Sequence, residues 1–121
     1  MKKILVVDDQ ENLRQLLQLV LGSGEREIYE AESGERAIEI AHTAEPDLII
    51  LDLVMPGGMD GLAALEILKA DPQTRRCPVL VLTAWDQLEE RERALESGAM
   101  EFMAKPFDLR ALQQKVSQLL A

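Results

Sequence analysis

The 121-residue chain is long enough for one domain with an ordinary core, and we expect residues 1–121 to form it. Its formal net charge of −9 repels phosphate backbones, which argues against direct nucleic-acid binding. The one cysteine, Cys77, has no internal disulfide partner, and no apolar run is long enough for a secretory signal or a membrane span. We therefore predict a cytoplasmic protein without a membrane partner.

Five short apolar runs alternate with segments of helical periodicity, which indicates an α/β fold with a parallel sheet covered by helices on both faces. The predicted strands are residues 3–7, 27–30, 47–51, 79–83 and 101–104. Every residue from 48 to 51 is apolar, as expected for a central strand with both faces covered. In such a doubly wound sheet, ligands bind at the carboxyl ends of the strands.

Helices are predicted between these strands and after the last one. Residues 12–21 and 61–70 carry leucines at helical spacing, and Ser33 and Asp108 can cap the second and the last helix. The fourth helix, residues 87–97, consists mainly of Glu and Arg. It has few apolar side chains to bury, so we expect it to be loosely docked.

Three carboxylates fall where two predicted strands end. Asp8 and Asp9 follow the first strand, and Asp52 follows the third. An aspartate at such a position can cap the next helix, but one would suffice for that purpose. Neighbouring acids repel each other in a partly dry cleft, whereas Mg²⁺ binds one or two carboxylates and keeps several waters. The grouping therefore predicts a Mg²⁺ site.

A hydroxyl and an ammonium follow the next two strands. Thr83 ends the fourth strand and Lys105 follows the fifth. Singly, Thr83 could cap a helix and Lys105 could be a surface charge. Together they can donate to phosphoryl oxygens while Asp52 attacks phosphorus, and before that step we expect Lys105 to pair with Asp52. The five side chains predict a phosphoryl-transfer site.

Four segments together resemble the receiver domains of bacterial two-component response regulators: VVDDQ, LDLVMPGGMDG, LVLTAW and FMAKPF. The resemblance covers the whole chain and implies a flavodoxin-like strand order, 2-1-3-4-5. It also implies a signalling switch rather than an enzyme. Asp52 would accept a phosphoryl group from a phosphohistidine of a sensor histidine kinase or phosphotransfer protein, and the modified domain would act on a downstream protein or output domain.

The resemblance also implies the roles of the other site residues. Asp9, Asp52 and the main-chain carbonyl of Val54 would ligate Mg²⁺, and Asp8 would hold a metal-bound water. Lys105 would bind the phosphoryl group.

The remaining implied roles concern a switch and a backbone feature. Thr83 would be the switch hydroxyl, coupled to an aromatic residue at the position of Phe102. A phenylalanine has no phenolic hydroxyl, so its movement would be driven by packing alone. The resemblance further implies a cis peptide bond between Lys105 and Pro106.

The chain departs from that family pattern in the loop after Asp52, where Gly57 and Gly58 both stand in place of one residue. We expect a longer loop path with Asp52 and Val54 unmoved. In similar receivers, the positions of Val54 and Trp85 flank the path of hydrolytic water, and neither side chain can act as a base. This predicts a long-lived aspartyl phosphate.

Other residues whose side chains could bind a metal or react are interpreted as structural. His42 is expected to be a surface residue without a second metal-binding partner nearby. Four methionines are expected to pack in the interior: Met55, Met59, Met100 and Met103.

Three alternative functions fit the sequence less well than a phosphorylation switch does. A phosphatase with an aspartyl nucleophile resembles this chain in its acids and lysine, but such enzymes have the nucleophile at the first strand and a second acid two positions later. Here Asp8 and Asp9 are adjacent and Gln10 follows. A flavodoxin-type carrier needs a Ser/Thr/Gly-rich phosphate loop where this chain has DDQEN. A degenerate receiver, used only for binding, would not need the intact acids, Thr83 and Lys105.

Overall fold

The structure, a computed structural model, describes residues 1–22, 24–56, 58–84 and 88–121, with the main chain alone for residues 88–90. The strands are β1 (Lys2–Val7), β2 (Arg26–Ala31), β3 (Leu48–Leu51), β4 (Val79–Thr83) and β5 (Glu101–Ala104). The helices are α1 (Glu11–Leu21), α2 (Gly34–Ala44), α3 (Gly61–Ala70), α4 (Leu88–Glu96) and α5 (Leu109–Leu120).

The five strands form one parallel sheet in the order β2-β1-β3-β4-β5, which confirms the predicted fold class and strand order. Most predicted boundaries agree within one residue. The third strand begins one residue later than predicted, because Asp47 is held in a turn: its carboxylate accepts a hydrogen bond from the Lys3 N–H at 2.8 Å. Gln87, the predicted start of the fourth helix, lies outside the described residues.

The core consists of two apolar layers, one on each side of the sheet. Successive strand residues point to opposite faces, so Ile49 and Leu51 pack in one layer while Leu48 and Ile50 pack in the other. Side chains of α2, α3 and α4 complete the first layer, and side chains of α1 and α5 complete the second. Because both faces are covered, the strand ends are where polar groups can collect.

The helix ends follow the expected capping chemistry. Ser33 Oγ accepts a hydrogen bond from the Arg36 N–H, and Asp108 Oδ1 accepts one from the Arg110 N–H, which confirms both predicted caps. Among the described residues, no helix is long and apolar enough to cross a bilayer.

The interpretation of the methionines is partly wrong. Met55 is buried and Met103 packs against the core, as expected, but Met100 is 59% exposed. Its N–H donates to the carbonyl of Val79, which places Met100 at the start of the edge strand, where one side of the sheet is open.

His42 lies at the surface as predicted, but a carboxylate lies beside it. Its Nε2 is 2.6 Å from Asp71 Oδ2, and its Nδ1 is 2.9 Å from the carbonyl oxygen of Ile38. Both partners are acceptors, so the doubly protonated ring satisfies both. The hydrogen bond to Asp71, followed by that to Ile38, therefore raises the pKa of His42 above its usual value.

This pair predicts a pH-dependent stability. A raised folded-state pKa means that the pair stabilises the fold fully below about pH 6.5 and loses this effect as pH rises through the folded-state value. We expect the free energy of unfolding to fall as the pH rises from about 6.5 through the folded-state pKa of His42. Asp71→Asn, which can still accept the hydrogen bond from the Gln73 N–H, should lower the His42 pKa measured by NMR. Asp108→Asn is the control, and an unchanged His42 pKa in Asp71→Asn would contradict the assignment.

Candidate functional site

The sheet brings the three predicted carboxylates together. Val7 and Leu51 are register partners in adjacent strands, so Asp8 and Asp52 emerge side by side, and the Asp52 N–H donates to the Val7 carbonyl at 2.9 Å. Carboxylate oxygens of Asp8, Asp9 and Asp52 all lie within 4.8 Å of one another. The predicted meeting of these acids at one edge of the sheet is confirmed.

Two of these acids are buried and held by backbone amides. Asp8 is 2% exposed and Asp52 is 5% exposed, whereas Asp9 is exposed. The Asp8 Oδ1 atom accepts a hydrogen bond from the Gln10 N–H at 2.8 Å, and Asp52 Oδ1 accepts one from the Val54 N–H at 3.0 Å. In each case one carboxylate oxygen is fixed by the turn after the strand and the second faces the neighbouring strand ends.

Lys105 supplies the positive charge at this edge. Its Nζ lies 2.7 Å from Asp8 Oδ2 and 3.4 Å from Asp52 Oδ2. The expected pairing of Lys105 with Asp52 is confirmed, and Lys105 also makes a shorter contact to Asp8. The Lys105 N–H donates to the Thr83 carbonyl at 2.8 Å, which holds this residue at the end of the sheet, and the bond from Lys105 to Pro106 is cis, as the resemblance implied.

The surroundings of Asp52 raise the pKa of its carboxyl above the usual value. Burial raises the pKa of its carboxyl, and the Asp8 carboxylate adds to the rise. The Val54 N–H and the Lys105 ammonium act in the opposite direction and lower the pKa, but the effect of burial is larger. The ionised form of Asp52 is thus held at a cost, which a cation at this edge would offset.

Thr83 contributes an unsatisfied hydroxyl. The side chain is fully buried, and its Oγ1 finds no hydrogen bond of ordinary length and angle among the described residues. It is nevertheless near enough to Asp52 to lower the pKa of that carboxyl slightly. Buried hydroxyls are normally hydrogen-bonded, so this one is a group without its partner.

Phe102 lies on the same side of the sheet as Thr83. Val81, two residues before Thr83, is the register partner of Phe102, and both pack in the layer of α2, α3 and α4. Phe102 is only partly buried. The structure therefore places the predicted switch pair on neighbouring strands and one face.

Arg14 and Glu30 are two site residues that sequence reasoning missed. The Arg14 Nη1 donates to the Asp8 carbonyl at 2.6 Å, and its Nε donates to Glu30 Oε1 at 3.0 Å. Nothing in the sequence pairs an arginine on α1 with an acid on β2. The only available signal was an arginine within the first turns after two aspartates.

The loop after Asp52 is fixed closely at its far end. Gly61, the first residue of α3, donates its N–H to the Leu53 carbonyl at 3.1 Å, and a Cβ on Gly61 would overlap the carbonyl oxygen of Asp52. Gly58 has a φ of +104°, a conformation that favours glycine. Val54 is 47% exposed. Gly57 and Trp85, which the sequence analysis also singled out, lie outside the described residues.

The donor set fits a hard divalent cation. Three carboxylates supply oxygen ligands only, which suits Mg²⁺ better than softer metals. Asp9 is exposed and accessible to hydrated ions, while Asp8 and Asp52 add two buried carboxylates.

An all-parallel five-stranded sheet with acids, a threonine and a lysine at its carboxyl edge defines a receiver-like α/β protein. The profile of the response regulator receiver domain matches residues 4–117, and the chain belongs to this family. Receiver domains are signalling modules, so the expected class of function is confirmed at that level.

Individual relatives and structures agree with this assignment. The chain is 44% identical over 106 residues to the response regulator PleD of Caulobacter vibrioides, covering 88% of this chain and 23% of PleD. It is 40% identical to the regulatory protein PhoP of Bacillus subtilis, covering 98% and 48%. The chemotaxis protein CheY4 of Vibrio cholerae has a similar structure, with a TM-score of 0.91, 30% identity and 99% of both chains covered. The chain thus spans about half or less of the curated relatives named.

Gly61 provides a test of how tightly the Asp52 loop is packed. Gly61→Ala should lower the free energy of unfolding by about 2 kcal/mol, because the added Cβ meets backbone atoms of Asp52 and Leu53 that cannot rotate away. Gly24→Ala is the matched control, since a Cβ there meets nothing within 4 Å. Chemical denaturation measures both. Equal effects would show that the loop has room to move.

Proposed function

We propose that the protein is a phosphorylation-activated switch whose acceptor is Asp52. The observation that carries this proposal is a buried carboxylate held by one backbone N–H, next to a second acid and a lysine ammonium at the end of the central strand. Burial, with a smaller contribution from the neighbouring acid, raises its pKa, and a shifted pKa beside a specific charge partner is typical of functional sites.

In the proposed reaction, a carboxylate oxygen of Asp52 forms a bond to the phosphorus of a phosphohistidine. The bond from phosphorus to the imidazole nitrogen breaks, its electron pair stays on that nitrogen, and the nitrogen then takes a proton from solvent. The products are an aspartyl phosphate and a free histidine of the donor. Transfer of this kind depends mainly on positioning and on charge stabilisation.

Mg²⁺ would be held by Asp9, Asp52 and the carbonyl of Val54, with Asp8 acting through a water, and would neutralise charge on the phosphoryl oxygens. The chain's own lysine adds to that effect. Lys105 lies between Asp8 and Asp52 at the start, and it can donate to a phosphoryl oxygen without leaving the edge of the sheet.

Thr83 and Phe102 are the proposed switch. Among the described residues, the Thr83 hydroxyl makes no hydrogen bond of ordinary geometry, and phosphoryl oxygens on Asp52 would accept one. Movement of Thr83 toward them leaves space that Phe102, partly buried on the same face, can fill. The face formed by α4, β5 and α5 would then change for a downstream partner.

The partners belong to the same proposal. A sensor histidine kinase or phosphotransfer protein would supply the phosphoryl group in the cytoplasm, and a protein partner or output domain would respond to it. The relatives named above, including PleD and PhoP, extend well beyond the matched region, so an output domain, including one that binds DNA, is compatible with the family.

Phosphorylation of Asp52 can be tested with Mg²⁺, a small phosphodonor and intact-mass measurement. The parent protein should gain one phosphoryl group and Asp52→Asn should gain none. Asp60→Asn and Asp108→Asn, which change aspartates that cap α3 and α5, are matched controls and should still be modified. No adduct on the parent would favour the binding-module alternative, and an adduct that persists in Asp52→Asn would place the acceptor elsewhere.

Thr83→Val separates the switch from the fold. Valine has nearly the same shape without the hydroxyl, so the free energy of unfolding of the unphosphorylated protein should change by less than about 1 kcal/mol, because among the described residues the hydroxyl makes no hydrogen bond of ordinary geometry. The change in amide exchange on phosphorylation should shrink. Thr74→Val is the control. Thr74 is also buried, but its hydroxyl donates to the Leu68 carbonyl at 2.6 Å, so that variant should lose stability. An undiminished change in amide exchange in Thr83→Val would refute the proposed role of Thr83.

A further inference from the structure

One guanidinium joins three elements behind the acid cluster. Arg14 lies on α1, its Nη1 donates to the carbonyl of Asp8 after β1, and its Nε pairs with Glu30 on β2. The arginine side chain is 14% exposed, whereas the side chain of Glu30 is partly exposed. A planar guanidinium can satisfy two acceptors in fixed directions, which a single lysine ammonium does with less precision.

The contact to the Asp8 carbonyl fixes the peptide unit that leads to Asp9. The Asp8 side chain is already held on both oxygens, by the Gln10 N–H and by Lys105. Asp9 differs, because among the residues that the structure describes no hydrogen bond or ion pair reaches its carboxylate. Arg14 thus holds the main chain from which the exposed carboxylate projects.

Glu30 balances the charge of the Arg14 guanidinium and determines where that group lies. An unbalanced guanidinium beside three carboxylates would turn toward them and compete with a divalent cation for the same oxygens. The 3.0 Å contact to Glu30 on the edge strand neutralises that charge and holds the guanidinium on the carbonyl side of Asp8. The arginine can then orient the peptide without occupying the metal's place.

We infer that Arg14 and Glu30 are positioning residues for the Mg²⁺ site: Arg14 fixes the Asp8–Asp9 peptide, and Glu30 keeps the guanidinium away from the carboxylates. This inference rests on the proposed function, since it concerns the affinity of the same acids for Mg²⁺. Groups that orient metal ligands without touching the ion commonly change metal affinity by about tenfold or more when they are removed.

The test is Mg²⁺ binding by isothermal titration calorimetry on the parent and four variants. Arg14→Met, which keeps the length of the side chain but removes its donors, should weaken Mg²⁺ binding by about tenfold. Arg14→Lys should recover part of the loss. Glu30→Gln should also weaken binding, because the arginine is then free to compete. Arg36→Met changes an exposed arginine that pairs with Glu39 on α2, and it should bind as the parent does.

Two further measurements separate positioning from a general loss of structure. The Mg²⁺ concentration that half-saturates phosphorylation should rise in Arg14→Met and Glu30→Gln while the rate at saturating Mg²⁺ stays near that of the parent. Melting temperatures without Mg²⁺ report folding alone. If Arg14→Met does not fold, Glu30→Gln decides the question, since a partly exposed glutamate can be neutralised without opening the core.

The outcomes are distinct. A parent that does not bind Mg²⁺ would remove the proposed function and this inference with it. A parent that binds Mg²⁺, with Arg14→Met and Glu30→Gln binding equally well, would overturn this inference alone, even if their melting temperatures fall. Weaker binding in both variants and unchanged binding in Arg36→Met would support it.

Discussion

The site depends on the contacts that the Lys105 ammonium makes with the carboxylates of Asp8 and Asp52. Asp8 and Asp52 emerge from adjacent parallel strands, and both are buried, so their mutual repulsion and desolvation would oppose folding if they stood alone. Lys105 contacts both carboxylates from the end of β5. Its position depends on strand order, since β4 lies between the acids and the lysine and binds the lysine's N–H through the Thr83 carbonyl.

The site differs from the rest of the structure in what it leaves unsatisfied. Several polar groups elsewhere have partners: Thr74 bonds to a carbonyl, and Ser33 and Asp108 bond to helix amides. At the sheet edge, the Thr83 hydroxyl makes no hydrogen bond of ordinary geometry within the described part of the chain, and burial raises the pKa of Asp52. Local departures from polar satisfaction are commonly found at functional sites, and here they coincide with the cluster of three carboxylates.

The site is predictable from the sequence because its reactive side chains all lie at or directly after the ends of strands that finish at one edge of the sheet. Polar residues that directly follow apolar runs can be read from the sequence, and parallel strands bring such positions to one edge, so Asp8, Asp52 and Thr83 were predictable. Arg14 and Glu30 were not, because their contact joins a helix to an edge strand and depends on side-chain direction. Family resemblance supplied the strand order, the switch pair and the cis peptide bond, none of which follows from spacing alone.

The sequence by itself determined the α/β class, most element boundaries within a residue, and the set of acids that meet, because hydrophobic periodicity and strand-end positions are local properties. Tertiary structure alone decided that Lys105 lies closer to Asp8 than to Asp52, that His42 meets Asp71 and that Met100 is exposed. These facts depend on which side chains come into contact and on which side of the edge strand is open. Such quantities arise only when elements distant in sequence pack against one another.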